Sequence, residues 1–318
     1  MKTKIEIAWK EISEGLTERQ IAKDAYILRR LDPASRFDIY AGMDASDCVM
    51  LAIGVRRPPP SINLASAALD YFRQQRADGT WLMALRLRQS ALAGVFGRLC
   101  QDLVDALISV ADETELVALV RDRLSLWKKL FEHGQSGLLE PFQVKGLMAE
   151  LLILESIIIN GTRTPLEAVN AWVGPLEADQ DFQFSDEAIE VKAIGPNADG
   201  VSISSLQQLD SPLPLRLTVQ TMRSASPGEE GAIDLNSLVL RIETGIAAFP
   251  DALAIFKARM LEGRYVENPY YDTIPFQLVK SEAFIISRNF PKLTLSMVPD
   301  GVMSATYELS LNAIRDSD

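Results

Sequence analysis

Three charged residues, Asp181, Glu190 and Lys192, have the types and spacing that metal-dependent chemistry requires. Residues 188–194, AIEVKAI, predict a β-strand on which Glu190 and Lys192 point to one face and the apolar residues to the other. Residues 181–184, DFQF, predict a preceding strand with Asp181 on the face opposite its phenylalanines. If these strands form a hairpin with their apolar faces on the core, the three charged side chains converge.

Two carboxylates in one small space repel each other, and a divalent cation relieves that repulsion. Oxygen ligands suit Mg²⁺, with Mn²⁺ as a substitute. The cation can activate a water molecule and polarise a phosphoryl oxygen. Lys192 would orient that water or neutralise charge that develops in the transition state. The alternative is a half-exposed strand with a polar outer face, since chance alone predicts about 1.5 acid-x-Lys triplets in this composition and the sequence has one.

A fourth candidate, Glu150, lies on a predicted helix from Leu138 to Asn160 that Gly161 closes. The helix is apolar on nearly all sides, which predicts that it is buried. An ionised carboxylate there is costly unless it is paired or bound to a metal. We therefore consider Glu150 as a metal ligand or as a partner of Lys192; pairing with a structural arginine is the alternative.

A helix that bears Glu150, followed by Asp181 and by Glu190-Val191-Lys192 on the next strand, resembles the PD-(D/E)XK nuclease superfamily. The stretches Gly146–Leu151 and Trp172–Pro175 resemble a bacterial branch known as PD-(D/E)XK motif proteins, often found with phage-defence genes. This resemblance implies an α/β protein (α+β overall) with a restriction-endonuclease-like α/β/α core and a mixed central sheet.

The resemblance also implies roles for individual residues. It makes Asp181, Glu190, Glu150 and the backbone carbonyl of Val191 metal ligands, and Lys192 the catalytic lysine. Gln208, with Gln207 as its rival, matches a glutamine that often follows the lysine.

One position departs from the family pattern, because Gln180 precedes Asp181 where the motif has proline. Asp179 is a rival for the role of Asp181 if the strand register differs.

The activity implied is Mg²⁺-dependent hydrolysis of DNA phosphodiesters by an endonuclease of restriction or anti-phage defence. The implied partners are DNA and other proteins of a defence system, while a homodimer and RNA as substrate stay open. The alternative is a catalytically silent nuclease fold that serves as a binding or assembly subunit.

Composition excludes several other kinds of site. The 318 residues contain one histidine, His133, so a multi-histidine metal site is excluded and a Ser-His-Asp triad would depend on that residue. Cys48 and Cys100 are the only cysteines; reduced thiols in a cytoplasm are the expected state, with a single disulfide as the alternative. No segment has the length and apolar content of a membrane span.

The net charge of −11 is unevenly distributed. Residues 1–145 hold 20 basic and 19 acidic residues, whereas residues 146–318 hold 12 basic and 24 acidic residues. We therefore predict two regions, an N-terminal α+β region of unknown role over 1–133 and a nuclease-like domain over 134–318.

Periodicity and turn residues predict the remaining elements. Helices are expected over 2–15, 91–110, 113–132 and 235–263, the last broken near Pro250, and strands over 37–43, 48–55, 69–75, 81–88, 215–222, 276–287, 292–298 and 304–312.

Overall fold

A computed structural model describes residues 3–16, 25–32, 35–64, 68–132 and 138–317, without the side chains of 109, 126 and 128–132. His133 and the predicted boundary between 133 and 134 lie outside the described residues. The contacts within the chain divide it into two compact units, 1–138 and 139–318.

The first unit combines a five-stranded sheet with three α-helices among its described residues. The sheet is antiparallel throughout, with strand order β1-β2-β3-β5-β4. The elements are α1 (Lys4–Leu16), β1 (Tyr26–Arg30), β2 (Asp38–Asp44), β3 (Val49–Val55), β4 (Leu69–Gln75), β5 (Trp81–Leu87), α2 (Ala93–Ala106) and α3 (Glu113–Glu132).

Aromatic side chains join the helices of this unit. Trp9 on α1 stacks on Phe96 of α2 with ring centroids 5.5 Å apart, and Phe96 meets Trp127 of α3 edge to face at 6.4 Å. The indole Nε1 of Trp9 donates a hydrogen bond to the carbonyl of Met50 on β3. These contacts bury three large rings, so this unit has its own core.

The basic side chains at the end of β5 are neutralised within the sheet. Arg86 contacts the carboxylates of Asp44 at 3.1 Å and Asp70 at 2.6 Å, and Arg88 contacts Asp70 at 2.8 Å. These arginines therefore do not form an unpaired basic face.

The second unit, 139–318, is built around a mixed sheet of strand order β10-β9-β7-β6, in which β7 and β9 are parallel and the other pairs antiparallel. A small sheet pairs β11 with β8. The predicted α/β class with a mixed sheet is confirmed. The elements are α4 (Pro141–Ile159), α5 (Pro165–Ala171), β6 (Phe182–Gln183), β7 (Ala188–Ile194), β8 (Gly200–Ile203), β9 (Leu215–Ser224), α6 (Leu235–Gly245), α7 (Pro250–Glu262), β10 (Phe276–Ile285), β11 (Tyr307–Ser310) and α8 (Leu311–Arg315).

The long apolar helix α4 forms as predicted, and it contacts β7, α5 and α6. Pro141 occupies its first turn, where Gln143 Oε1 accepts a hydrogen bond from the backbone N–H of Glu140. After the helix, Gly161 adopts a φ of 63°, which glycine reaches without the steric cost of a Cβ. Glu150 thus lies midway along a helix whose ends are both capped.

Two strand predictions near the C-terminus need correction. The segment 292–298 is not a strand, and Leu295–Met297 forms a single 3₁₀ turn instead. The segment 304–312 forms only the four-residue strand β11 before the chain turns into α8. Pro291 and Pro299 bracket the first segment, and proline cannot donate a backbone hydrogen bond to a sheet.

Within the residues that the structure describes, none of the helices combines the length and the apolar content that crossing a membrane requires.

Candidate metal centre

The hairpin of β6 and β7 brings Asp181 against the strand that carries Glu190 and Lys192. Phe182 pairs with Ile189 in antiparallel register, so Asp181 lies just beyond the paired end of β6. There its Oδ2 accepts a hydrogen bond of 2.7 Å from the backbone N–H of Val191. Asp179 is exposed to solvent. The register therefore places Asp181, rather than Asp179, beside β7.

Glu190 is almost completely buried, with 1% of its side chain exposed. Its Oε1 lies 2.7 Å from Lys192 Nζ as an ion pair, neither oxygen has a hydrogen-bond partner among the described residues, and Oε2 has no ion-pair contact there either. A buried carboxylate oxygen without a partner carries a large desolvation cost. This oxygen is therefore a candidate ligand for a cation.

Gln208 positions the lysine. Its Oε1 accepts hydrogen bonds from Lys192 Nζ at 3.0 Å and from the backbone N–H of Ser204 at 2.8 Å. Gln207 makes a different contact, because its backbone carbonyl accepts a hydrogen bond from Gln180 Nε2. The side chain beside Lys192 is thus that of Gln208.

Glu150 on α4 lies beside Asp181, at the same cluster of charged side chains. Its Oε2 accepts a hydrogen bond of 2.8 Å from the indole Nε1 of Trp172, a side chain that is fully buried. The partner that orients Glu150 is therefore an indole, not the structural arginine considered from the sequence.

Gly174 shows how closely the carboxylates of Glu150 and Asp181 approach each other. A Cβ added to this glycine would lie 2.5 Å from Glu150 Oε2 and 2.9 Å from Asp181 Oδ1. The backbone N–H groups of Val173 and Gly174 both donate to the carbonyl of Asp181, at 2.8 and 2.9 Å. The loop before β6 therefore holds Asp181 and leaves room for the carboxylates only because residue 174 has no side chain.

The three carboxyl groups have raised pKa values. Burial raises the pKa of Asp181 to about 6, while burial and then the charge of Asp181 raise the pKa of Glu190 to about 8. Burial, followed by the charge of Asp181, also raises the pKa of Glu150 well above its ordinary value. Raised pKa values mean that these carboxyl groups tend to keep their protons, because no positive charge nearby stabilises all of them as carboxylates. A bound divalent cation would supply that charge.

The donor set fits a hard cation that keeps part of its water shell. Within the described residues, no three acidic, cysteine or histidine side chains already form a ligand group. A site with two carboxylate ligands, Asp181 and Glu190, is still sufficient for Mg²⁺. This cation commonly binds proteins through one or two carboxylates and keeps several water molecules. Because a strand residue directs its N–H and C=O to the same edge, the Val191 carbonyl faces the Asp181 side of β7.

The raised pKa values predict how stability depends on pH without metal. A folded state that binds more protons than the unfolded state loses stability as the pH rises. We expect this loss between about pH 4 and 6 through Asp181 and between about pH 4.5 and 8 through Glu190. From pH 5.5 to pH 8, Glu190 alone should account for roughly 3 kcal/mol of the lost stability. Urea unfolding in a chelator at pH 5.5 and pH 8 measures the change.

Glu190→Gln isolates this effect because it cannot ionise. The variant should lose less stability than the wild type between the two pH values. An equal loss in both proteins would show that Glu190 is not the group responsible.

Gly174→Ala should weaken metal binding while leaving the fold intact. The new methyl group must displace Glu150 or Asp181, and such displacements typically cost 10–100-fold in metal affinity. Gly146→Ala on α4 is the matched control, because a Cβ there meets nothing within 4 Å. Titration calorimetry with Mn²⁺ compares the two; equal affinities would contradict the crowding argument.

Sequence reasoning missed the contributions of Trp172 and Gly174. Both lie in the stretch Trp172–Pro175 that carries part of the family resemblance. The resemblance therefore marked this stretch, but it did not indicate that its residues contact the carboxylates. Only the fold shows that this loop contacts a helix residue 22 positions earlier.

A mixed sheet with an aspartate and a Glu-x-Lys strand joined in one hairpin defines the PD-(D/E)XK class of fold. A family model described as "Putative PD-(D/E)XK family member, (DUF4420)" matches residues 5–312, and the chain belongs to this family. The resemblance noted in the sequence is thereby confirmed, and the match extends across both units. No curated protein and no solved structure matches the chain.

Proposed function

We propose that this protein is a Mg²⁺-dependent endonuclease that hydrolyses DNA phosphodiester bonds, with a role in bacterial restriction or anti-phage defence. The observation that carries the proposal is the convergence of Asp181, Glu190 and Lys192 on one hairpin, with the buried Oε2 of Glu190 lacking a partner. The nuclease-like family supports the reaction class.

Asp181, Glu190 and the carbonyl of Val191 would hold the cation, with Glu150 as a further ligand or as a group that binds a coordinated water. A bound divalent cation lowers the pKa of a water molecule and polarises a phosphoryl oxygen. Trp172 keeps the Glu150 carboxylate turned toward Asp181 by its indole hydrogen bond. The fold thus positions these oxygens before any substrate arrives.

Lys192 is held for a separate task. Its Nζ contacts Glu190 Oε1 and donates to Gln208 Oε1, which leaves a third N–H for a water molecule or a phosphoryl oxygen. Donating to the oxygen that gains negative charge in the transition state lowers the barrier. Gln208 acts through Lys192 and is therefore a positioning residue.

The charge of the second unit predicts that DNA binding depends on cations. Residues 146–318 carry 24 acidic and 12 basic residues, so this region repels a phosphate backbone unless a divalent metal or partner proteins offset the charge. We expect weak binding in a chelator and stronger binding with Mg²⁺ or Mn²⁺.

Incubation of the purified protein with plasmid DNA tests the proposal. Nicked or linear DNA should appear with Mg²⁺ or Mn²⁺ and not with a chelator. Single-stranded RNA in a parallel reaction distinguishes the nucleic acid. If neither is cut in either metal, the endonuclease assignment fails for the isolated protein.

The second candidate function is a nuclease fold that serves as a binding or assembly subunit of a defence complex. The acidic excess of residues 146–318 favours it, because it suits a protein partner better than DNA. Titration with Mn²⁺ separates the two proposals: binding that depends on Asp181 supports the enzyme, and no binding even with DNA present supports the subunit.

A further inference from the structure

A pocket of about 260 Å³ opens beside Glu150 in the second unit. It is bounded by α4, by the Gly174–Leu176 turn and by the end of α7. Glu150 and Gly174 belong to both the pocket and the candidate metal centre. A substrate bound at the metal centre would therefore extend into this pocket.

Two residues that line the pocket have an unusual backbone conformation. Glu177 has a φ of 60° and Arg264 a φ of 62°, both in the left-handed region. Across the described residues, the remaining non-glycine residue of this kind is Asp47, in a hairpin turn of the first unit. A left-handed backbone is unfavourable for a residue with a side chain, and such conformations cluster at functional sites.

Arg264 is held against the Gly174–Leu176 turn, which adjoins the carboxylates of Glu150 and Asp181. Its backbone N–H donates to Leu261 at the end of α7. A Cβ on the preceding Gly263 would lie 3.6 Å from Pro175, so the chain passes directly over the Gly174–Leu176 turn. The ring contact of Trp172 with Phe256, with centroids 5.9 Å apart, fixes α7 on the same loop. The position of Arg264 relative to Glu150 is therefore set by packing.

The guanidinium of Arg264 has no hydrogen bond or ion pair with any residue that the structure describes. It is the single cationic side chain among the lining residues, which include Glu150, Glu177 and Glu262. An arginine that pairs with none of these acids keeps all its donors for an external anion. Its planar fork matches the oxygens of a phosphate group.

We propose that Arg264 binds a phosphate group of the nucleic acid strand, next to the bond that is cut at the metal centre. This inference rests on the proposed nuclease function. Arg264 would set the position of the strand in the pocket, and the acidic residues around it would exclude phosphates from the rest of the pocket.

Binding of a short fluorescent DNA duplex tests this proposal without cleavage, in the Lys192→Ala background with Mg²⁺. Arg264→Asn removes the charge, and asparagine tolerates the left-handed backbone. We expect this change to weaken binding about tenfold and to reduce the slope of log affinity against log salt by about one. Arg264→Lys should lose less affinity because it keeps the charge.

Arg288→Asn is the matched control, since Arg288 is exposed and lies outside this pocket. It should change affinity less than twofold. If Arg264→Asn and Arg288→Asn have the same effect, Arg264 is not the phosphate ligand, while the nuclease proposal stands. If the Lys192→Ala protein binds no DNA and the wild type cuts none, both proposals fail.

Thermal unfolding checks that the variants keep the fold, which equal unfolding midpoints would show. If Arg264→Asn unfolds at a lower temperature, Arg264→Gly repeats the test without backbone strain.

Discussion

Replacing Lys192 with alanine is expected to abolish DNA cleavage, with the rate falling by about a thousandfold at saturating Mg²⁺. The substitution removes the ammonium that contacts Glu190 and Gln208, and with it the donor proposed for the reacting phosphate or water. Glu190 then loses its partner, but the bound cation offsets its charge in the assay, and without metal its raised pKa lets it keep a proton, so the protein should remain folded. Plasmid cleavage under single-turnover conditions measures the rate.

Lys257→Ala is the control for this experiment. Lys257 is exposed on α7, and its replacement removes the same positive charge away from the site. Gln208→Ala should give a smaller loss, since it frees Lys192 without removing the ammonium. Cleavage by Lys192→Ala at the wild-type rate would overturn the assignment of the catalytic lysine.

Asp181→Ala should eliminate the heat of Mn²⁺ binding in a calorimetric titration. Asp181 is the carboxylate that the β6–β7 hairpin fixes beside β7, and without it the cation loses a central ligand of a small carboxylate set and is left mostly to its own water. Because this test measures binding, its outcome does not depend on whether a DNA target has been found.

Asp179→Ala provides a close comparison, since it removes the same charge two residues earlier from an exposed position. This variant should bind Mn²⁺ as the wild type does. If Asp179→Ala loses binding and Asp181→Ala keeps it, the register inferred for the ligand is wrong.

The elements around the site could be predicted because their signals are local. The alternation of AIEVKAI predicts β7, and the apolar stretch closed by Gly161 predicts α4. In contrast, β1 and α5 were not predicted. Strand β1 ends in two arginines and pairs with one strand only, so its sequence lacks a clear apolar face.

The segment 292–298 misled the prediction because its leucines and methionine alternate as in a strand. In the structure Leu293, Leu295 and Met297 are exposed, while Thr294 is buried. Alternation indicates a strand only if the apolar face meets a core, and that condition depends on the rest of the fold.

For the site, strand periodicity predicts that Glu190 and Lys192 share a face, but not what surrounds them. The contact of Trp172 with Glu150 depends on how a loop packs onto a helix. The left-handed conformation of Arg264 has no sequence signal either, because arginine is not a residue that favours it. These features arise from tertiary packing, which a single sequence shows only through resemblance.

The carbonyl of Asp181, which accepts two hydrogen bonds from the loop before β6, has a consequence for how the site forms during folding. Strand β6 has two residues, too few to hold its register by pairing alone. The docked loop supplies the missing constraint, and the same loop carries the indole that orients Glu150. Local opening of this loop would release Glu150 and Asp181 together. We therefore expect the site to form and to be lost as one cooperative unit, rather than one ligand at a time.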